Sequence, residues 1–296
     1  MESTVLGSTG RRVSRIGYGG TLAGLKNYTR YFDPEEGRNK EQLIEALLTA
    51  FKLGINYFDT AAGYGNGVSE RIFGEALASI PKEQIFLATK VSFGDAAKTR
   101  ASLEGSLKNL RRDWVDLIQI HGSLYRDEQC DAILGPGGMA EALEKAKEEG
   151  LVKHIGFSIE CQNIPLYRFI RSGRFEVMQI QYNLLFQHPY DPSFTCGSLY
   201  EAEECRMGIV TMRTLTSGIF QRWIQRVNPQ NTFDYTPALL QFNLSNPLVD
   251  VALLGMNSAD QVRANVAVCE DLPSRIDMHD LHTRYADKQA QGEKNV

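Results

Sequence analysis

The chain has 296 residues, of which 43% are hydrophobic and 23% charged, with a formal net charge of −4. This length suits one large α/β domain or two small ones, and the composition is that of an ordinary folded protein. The slight acidic excess argues against a general nucleic-acid binder, and no apolar run approaches the roughly 20 residues that span a bilayer.

The stretch from Met1 to Gly10 is polar and lacks the apolar core of a secretory leader, so a cytoplasmic protein is expected. Residues 3–6 and 11–13 flank Gly7-Ser8-Thr9-Gly10 and predict a small β-hairpin covering one end of the fold. Eight short runs rich in β-branched residues follow, at 14–20, 55–60, 85–91, 115–121, 152–158, 177–183, 209–215 and 251–256. Most are apolar enough to be buried on both faces, as parallel strands are. Helical patterns fall between them at 40–53, 68–79, 98–111, 139–149, 162–172, 197–207, 236–245 and 258–268. Asn39 is placed to cap the first of these, and Gly54, Gly150, Gly173 and Gly208 punctuate helix ends.

Strand–helix alternation at this spacing predicts parallel βαβ units, and eight of them fit a closed (β/α)8 TIM barrel better than a doubly wound sheet. No linker or shift in composition interrupts the pattern, so a single domain over 1–296 is expected, with a frayed polar end at 287–296. Five widely spaced cysteines (Cys130, Cys161, Cys196, Cys205, Cys269) form no C-x-x-C pair and predict reduced thiols. His279 and His282 lie three apart without a nearby carboxylate or cysteine partner in sequence, so no metal is expected.

Three strand-to-helix connections are long, at 21–39, 122–138 and 184–196. In a barrel such connections form the active-site face. The first carries Lys26, Tyr28, Arg30, Tyr31 and Phe32, the second Tyr125 and Arg126, and the third Phe186, His188 and Tyr190. Aromatics with a few cations suit a polar or anionic small molecule, such as a sugar or hydroxy acid.

Chemistry concentrates where the strands end. Tyr57-Phe58 runs into Asp59, Ala88-Thr89 into Lys90, and Gln119-Ile120 into His121. A charge at a buried strand end is costly unless paired, so the three are expected to converge. Tyr64 follows Asp59 by five residues, in the turn Ala62-Gly63-Tyr64-Gly65. Reducing a carbonyl requires a proton donor for the oxygen. A nearby ammonium favours phenolate, which Lys90 can supply and Asp59 can orient, while His121 can polarise the carbonyl. An Asp or Lys at a strand end is commonly a plain salt bridge; the coincidence of four groups is what points to a site.

At these residues the chain resembles the aldo-keto reductase family. The resemblance rests on Asn56-Tyr57-Phe58-Asp59-Thr60-Ala61, Tyr64-Gly65, Ser69-Glu70, Phe73-Gly74, Thr89-Lys90 and the run Asp116 to His121. It covers the chain from Ile16 to about Asn265. It implies an oxidoreductase that moves a hydride between NADP(H) and a small aldehyde or ketone, or the corresponding alcohol. Tyr64 would be the general acid/base, Lys90 its modulator, Asp59 the partner of Lys90, and His121 the carbonyl orienter. No G-x-G-x-x-G follows a strand, so the dinucleotide would lie across the strand ends. Gly20, Thr21, Leu22 and Asp59 would line its nicotinamide end, and Ser158 and Gln181 match carboxamide positions. Leu215, Ser217, Gly218 and Phe220 would cover the pyrophosphate, Arg213 would either reach it or pair with a carboxylate, and Gly255, Asn257, Gln261 and Asn265 would line the adenosine.

The chain also departs from the family pattern. Ile159 stands where the family often has Asn, and Met212-Arg213-Thr214-Leu215 where many members have Tyr-Ser-Pro-Leu. Met212 would pack against the nicotinamide in place of an aromatic ring. Near Gly255, Asn257 and Gln261 the nearest cation is Arg263, which leaves NAD(H) an open alternative to NADP(H). A different class also stays open: a slow-turnover nicotinamide-binding partner of another protein.

Overall fold

The computed structural model describes residues 1–28, 31–187, 197–277 and 280. The chain begins with a hairpin in which β1 (Ser3–Val5) and β2 (Arg12–Ser14) pair antiparallel, Thr4 opposite Val13. Eight strands then close into a parallel barrel: β3 (Ile16–Gly19), β4 (Tyr57–Asp59), β5 (Phe86–Ser92), β6 (Val115–His121), β7 (Val152–Ile159), β8 (Val177–Gln181), β9 (Gly208–Met212) and β10 (Val251–Gly255). Closure is made by β10 against β3, with Leu254 beside Tyr18.

Helices return the chain between strands. They are α1 (Gly37–Lys52), α2 (Val68–Ala76), α3 (Ala96–Leu110), α4 (Asp127–Leu134), α5 (Met139–Glu148), α6 (Ile164–Arg171), α7 (Ser198–Glu204), α8 (Ile219–Val227), α9 (Thr236–Leu244) and α10 (Ala259–Glu270). Two of them, α4 and α8, fall in segments expected to be loops. Helix α4 shortens the 122–138 connection, and α8 fills much of the span between β9 and α9.

The two-residue period of the strands decides the packing. Tyr57, Phe86, Leu117, Val177, Val210 and Val251 fill the barrel interior together with Leu6 and Val13 of the hairpin segment. Phe58, Leu87, Ile118, Met178 and Ile209 point outward into the helix layer. The Tyr57 and Phe86 rings stack inside, with centroids 5.1 Å apart. The hairpin therefore plugs the end of the barrel opposite the strand C-termini.

That plug explains one difference from the expected helix ends. Gly208 does not provide a left-handed stop; Arg206 takes that conformation, at φ +55°. Gly208 instead begins β9, where an added Cβ would come within 2.6 Å of the Leu6 side chain. Its glycine makes room for the plug. Gly54, at φ +89°, does end α1 as expected.

Other boundaries move for local reasons. Helix α1 starts at Gly37, so Asn39 lies inside it and donates to the Asp33 carbonyl at 2.9 Å. The expected 14–20 strand breaks at Arg15, where the chain passes from hairpin to barrel. The 209–215 strand stops at Met212 because Arg213 is left-handed, at φ +57°. Arg30, His188, Tyr190, Cys196, His279, His282 and the end 287–296 lie outside the described residues.

Candidate active site

At the C-terminal ends of the strands the barrel opens into a cleft of about 630 Å³. Asp59, Tyr64 and His121 line it, and Lys90 is wholly buried behind them. Lys90 Nζ donates to Asp59 Oδ1 at 2.5 Å and to the Thr60 carbonyl at 2.9 Å. It also lies 5.2 Å from the centre of the Tyr64 ring. The Tyr64 and His121 rings meet edge to face with centroids 5.4 Å apart. Four residues from three strand ends and one turn thus share one corner of the cleft.

Asp59 is held on its other oxygen as well. Gln119 Nε2 lies 3.2 Å from Asp59 Oδ2 and 2.9 Å from Gln179 Oε1. Gln179 Nε2 in turn lies 3.6 Å from Met212 Sδ. This amide chain along the cleft floor was not read from the sequence, although Gln119 and Gln179 sit two residues inside strand ends.

The electrostatics follow from burial. Burial works against the charge on Lys90, but Asp59 and then Tyr64 outweigh it and raise its pKa above the ordinary lysine value. Burial also raises the pKa of Asp59, against the pull of Lys90 and the two glutamine amides. The pair as a unit therefore resists losing its proton, and Lys90 is a fixed donor. The His121 imidazole is pushed down to about 4, first by burial and then by the Lys90 charge. It is neutral at physiological pH and offers one N–H.

A pH consequence follows. Protonation of His121 belongs near pH 4, so a kcat/KM profile is expected to show no histidine inflection between about pH 5.5 and 8. The stability term has the same sign. With its folded value below the unfolded one, the neutral imidazole is increasingly costly as pH falls from about 6.5 toward 4. A break in the rate profile near 6.5 that disappears in His121→Asn would contradict this assignment.

The turn that carries Tyr64 is fixed from three sides. Thr60 Oγ1 donates to Ser69 Oγ at 2.8 Å, and Ser69 Oγ donates to the Gly20 carbonyl at 2.8 Å. The turn after β3 presses directly on Tyr64: a Cβ at Gly24 would fall 2.4 Å from the Tyr64 carbonyl oxygen. Gly20 is buried under the cleft, where a Cβ would meet Ser69 Oγ at 2.6 Å.

Of the residues expected to hold a dinucleotide, Thr21, Leu22, Asp59, Ser158, Met212, Arg213, Leu215, Ser217, Gly218 and Gly255 line the cleft. The others are placed elsewhere. Gln179 rather than Gln181 forms the wall at β8. Phe220 packs on Tyr235 with ring centroids 5.2 Å apart. Asn257 is buried; its N–H donates to Gln261 Oε1 at 2.9 Å and its carbonyl accepts from Gln42 Nε2 at 2.6 Å. Asn265 is nearly buried on α10, and Arg263 pairs with Asp260 at 2.8 Å. Glu160, Gln221 and Arg222 line the cleft without having been singled out in the sequence.

The loop residues sort in the same way. Tyr28 lines the cleft. Lys26 is engaged by Asp33 and Glu35, at 3.1 and 3.2 Å. Tyr125 is buried and donates to the Ile120 carbonyl, Phe32 is buried, and Arg126 is the residue before α4. Tyr31 and Phe186 are exposed. A more open groove of about 760 Å³ lies on the outside, lined by residues of α6 and α7. Its Arg171 and Arg168 are already paired with Glu201 and Asp131, and among the described residues no acid/base set faces it.

Known proteins resemble the chain over most of its length. Residues 15–239 match the profile of the Aldo/keto reductase family. The L-galactose dehydrogenase of Arabidopsis thaliana is 27% identical, over 93% of this chain and 90% of its own. The aldo-keto reductase YhdN of Bacillus subtilis is 32% identical over 71% of this chain and 64% of its own. A crystal structure of an aldo/keto reductase from Klebsiella pneumoniae in complex with NADP and acetate superposes with a TM-score of 0.69, at 20% identity, covering 96% of this chain and 94% of that one. With the family match spanning most of the barrel and all four converging residues, the chain belongs to the aldo/keto reductase family.

Proposed function

We propose that the cleft binds NADP(H) and that the protein interconverts a small aldehyde or ketone and its alcohol. The observation carrying this reading is the convergence of Tyr64, Lys90, Asp59 and His121 in one corner of the cleft. A nicotinamide dinucleotide, when bound, supplies or accepts the hydride. Tyr64 O–H gives its proton to the substrate oxygen in reduction and takes it back in oxidation. Lys90, kept charged by Asp59, steadies the phenolate that this leaves. The neutral His121 N–H directs the substrate oxygen toward Tyr64.

The rest of the cleft suits such a ligand. Two cations, Arg213 and Arg222, stand beside the small residues Ser217 and Gly218, as an anionic pyrophosphate requires. Ser158 and Gln179 offer polar groups at the nicotinamide end, and Met212 an apolar surface. Tyr28 and Ser123 also line the cleft and suit a hydroxylated substrate of sugar or hydroxy-acid type. The likeness to L-galactose dehydrogenase supports a sugar.

NADH is the second reading, and one observation favours it. Arg263, the cation nearest the expected adenosine segment, lies beside Glu41 and Lys52 on the outer surface and not at the cleft. Fluorescence titration with NADPH and separately with NADH tests both. Saturation by either is expected, and the ratio of the two Kd values decides between them. Folded protein that binds neither would end the oxidoreductase reading.

A further inference from the structure

We infer that Gln119 is a positioning residue for the proton transfer at Tyr64, acting through Asp59. The inference rests on the carbonyl chemistry proposed above and adds a residue to it. Gln119 is wholly buried on β6, two residues before His121, and does not line the cleft. It does not touch a substrate there, so an effect on catalysis has to pass through a neighbour.

Three features point to Asp59 as that neighbour. The first is hydrogen-bond valence. An ionised carboxylate only accepts, so Asp59 Oδ2 calls for an N–H, and Gln119 Nε2 supplies it at 3.2 Å. The second hydrogen on Nε2 goes to Gln179 Oε1 at 2.9 Å. Gln179 must then turn its own Nε2 the other way, toward Met212 Sδ at the cleft wall. The charge on Asp59 thus orients two amides in series.

The second feature is an unpaired atom. Nothing among the described residues donates to Gln119 Oε1, although it is buried. A methionine would fill a similar volume and leave no polar atom unpaired, so packing alone does not account for an amide here. The third feature is placement. The stem of Gln119 lies over Gly156 of β7, where an added Cβ would come within 3.3 Å of Gln119 Cγ and 2.5 Å of the Val177 carbonyl oxygen. The glycine leaves open the slot from which the amide is aimed at Asp59.

The consequence reaches Tyr64 through one proton. Lys90 Nζ and Asp59 Oδ1 lie 2.5 Å apart, and the proton between them stays on nitrogen only while the carboxylate is well supported. Burial works against that carboxylate; Lys90 and then the Gln119 amide work for it. Without the Gln119 N–H the proton passes more readily from Nζ to Oδ1, which turns the ion pair into an amine and a carboxylic acid. Tyr64 then loses the ammonium beside it when the substrate oxygen takes its proton. A residue that merely filled space would not act through the charge of Asp59.

The test is a double-mutant cycle. Gln119→Met is made in the wild type and in Asp59→Asn, with melting temperatures as the folding check; Gln119→Leu serves if the methionine variant fails to fold. Single-turnover rates are measured with the better of NADPH and NADH at saturation and a panel of small aldehydes, glyceraldehyde first, together with aldehyde KM and dinucleotide Kd. In the wild type, Gln119→Met is expected to slow turnover about tenfold or more, the scale of one hydrogen bond to a charged group, with KM and Kd within about threefold. In Asp59→Asn the same change is expected to slow it by less than about twofold, because the charge it served is gone. A wild-type-background rate within about threefold, an equal loss in both backgrounds, or a change confined to KM or Kd would overturn the proposal and leave the hydride-transfer reading standing. If the folded wild type reduces no aldehyde of the panel, both fall.

Discussion

Tyr64→Phe is expected to lower kcat by about 10³-fold, the usual scale for removing a positioned acid/base group, while Kd for the dinucleotide stays within about twofold. The substitution deletes one oxygen and keeps the ring that meets His121 edge to face, so the cleft wall survives. Its loss falls on the step in which the substrate oxygen gains or gives up a proton, and so on kcat more than on KM. Single-turnover rates with saturating cofactor are the measurement. A variant keeping more than about a tenth of wild-type kcat would remove Tyr64 from the role of proton donor, and His121 would be the next candidate.

Lys90→Met is expected to cost stability as well as turnover. It leaves the Asp59 carboxylate buried without its cation, a change that typically destabilises by about 3–5 kcal/mol. For a chain of this size that lowers Tm by roughly 5–8 °C. Asp59→Asn removes the counter-charge instead, leaving the ammonium the neutral amide oxygen, the Thr60 carbonyl and Tyr64, and should also destabilise. In the double variant Asp59→Asn/Lys90→Met neither charge is buried, so much of the lost Tm is expected to return while activity does not. Thermal melting of the four proteins gives the coupling directly. If the double variant melts no higher than the worse single, the two residues are not a mutually dependent pair. If it regains turnover, they do not act on Tyr64.

Much of the barrel is written in local pattern. The strand cores around Phe58, Leu87, Ile118 and Met178 are apolar on both faces because each strand is covered inside and out, and that needs no knowledge of distant residues. Asp59, Lys90 and His121 were legible for a related reason: an ionisable side chain ending an apolar run has few explanations. What local pattern hides is depth and partnership. Gln179 and Gln181 share one face of β8 by the period of two, so the sequence alone does not say which reaches the cleft. The Glu160–Arg213 pair joins residues 53 apart and depends on a left-handed backbone at Arg213 that no local signal announces. Helix α8 escaped because none of its residues is buried, so its stripe of Ile219, Trp223 and Val227 reads as loop decoration. Helix α4 buries only Cys130 and Ile133, too few to stand out in a connection punctuated by Gly135-Pro136-Gly137-Gly138.

The hairpin plug divides the molecule's labour. With Leu6 and Val13 sealing the lower end, the packing that decides whether the chain folds lies under the residues that decide what it binds. Changes in the two regions are far enough apart to combine additively. Such a division suits inheritance with variation: the connections at 21–36 and 122–126 can be exchanged for those of a relative, retuning selectivity, while the foundation beneath them is passed on unaltered.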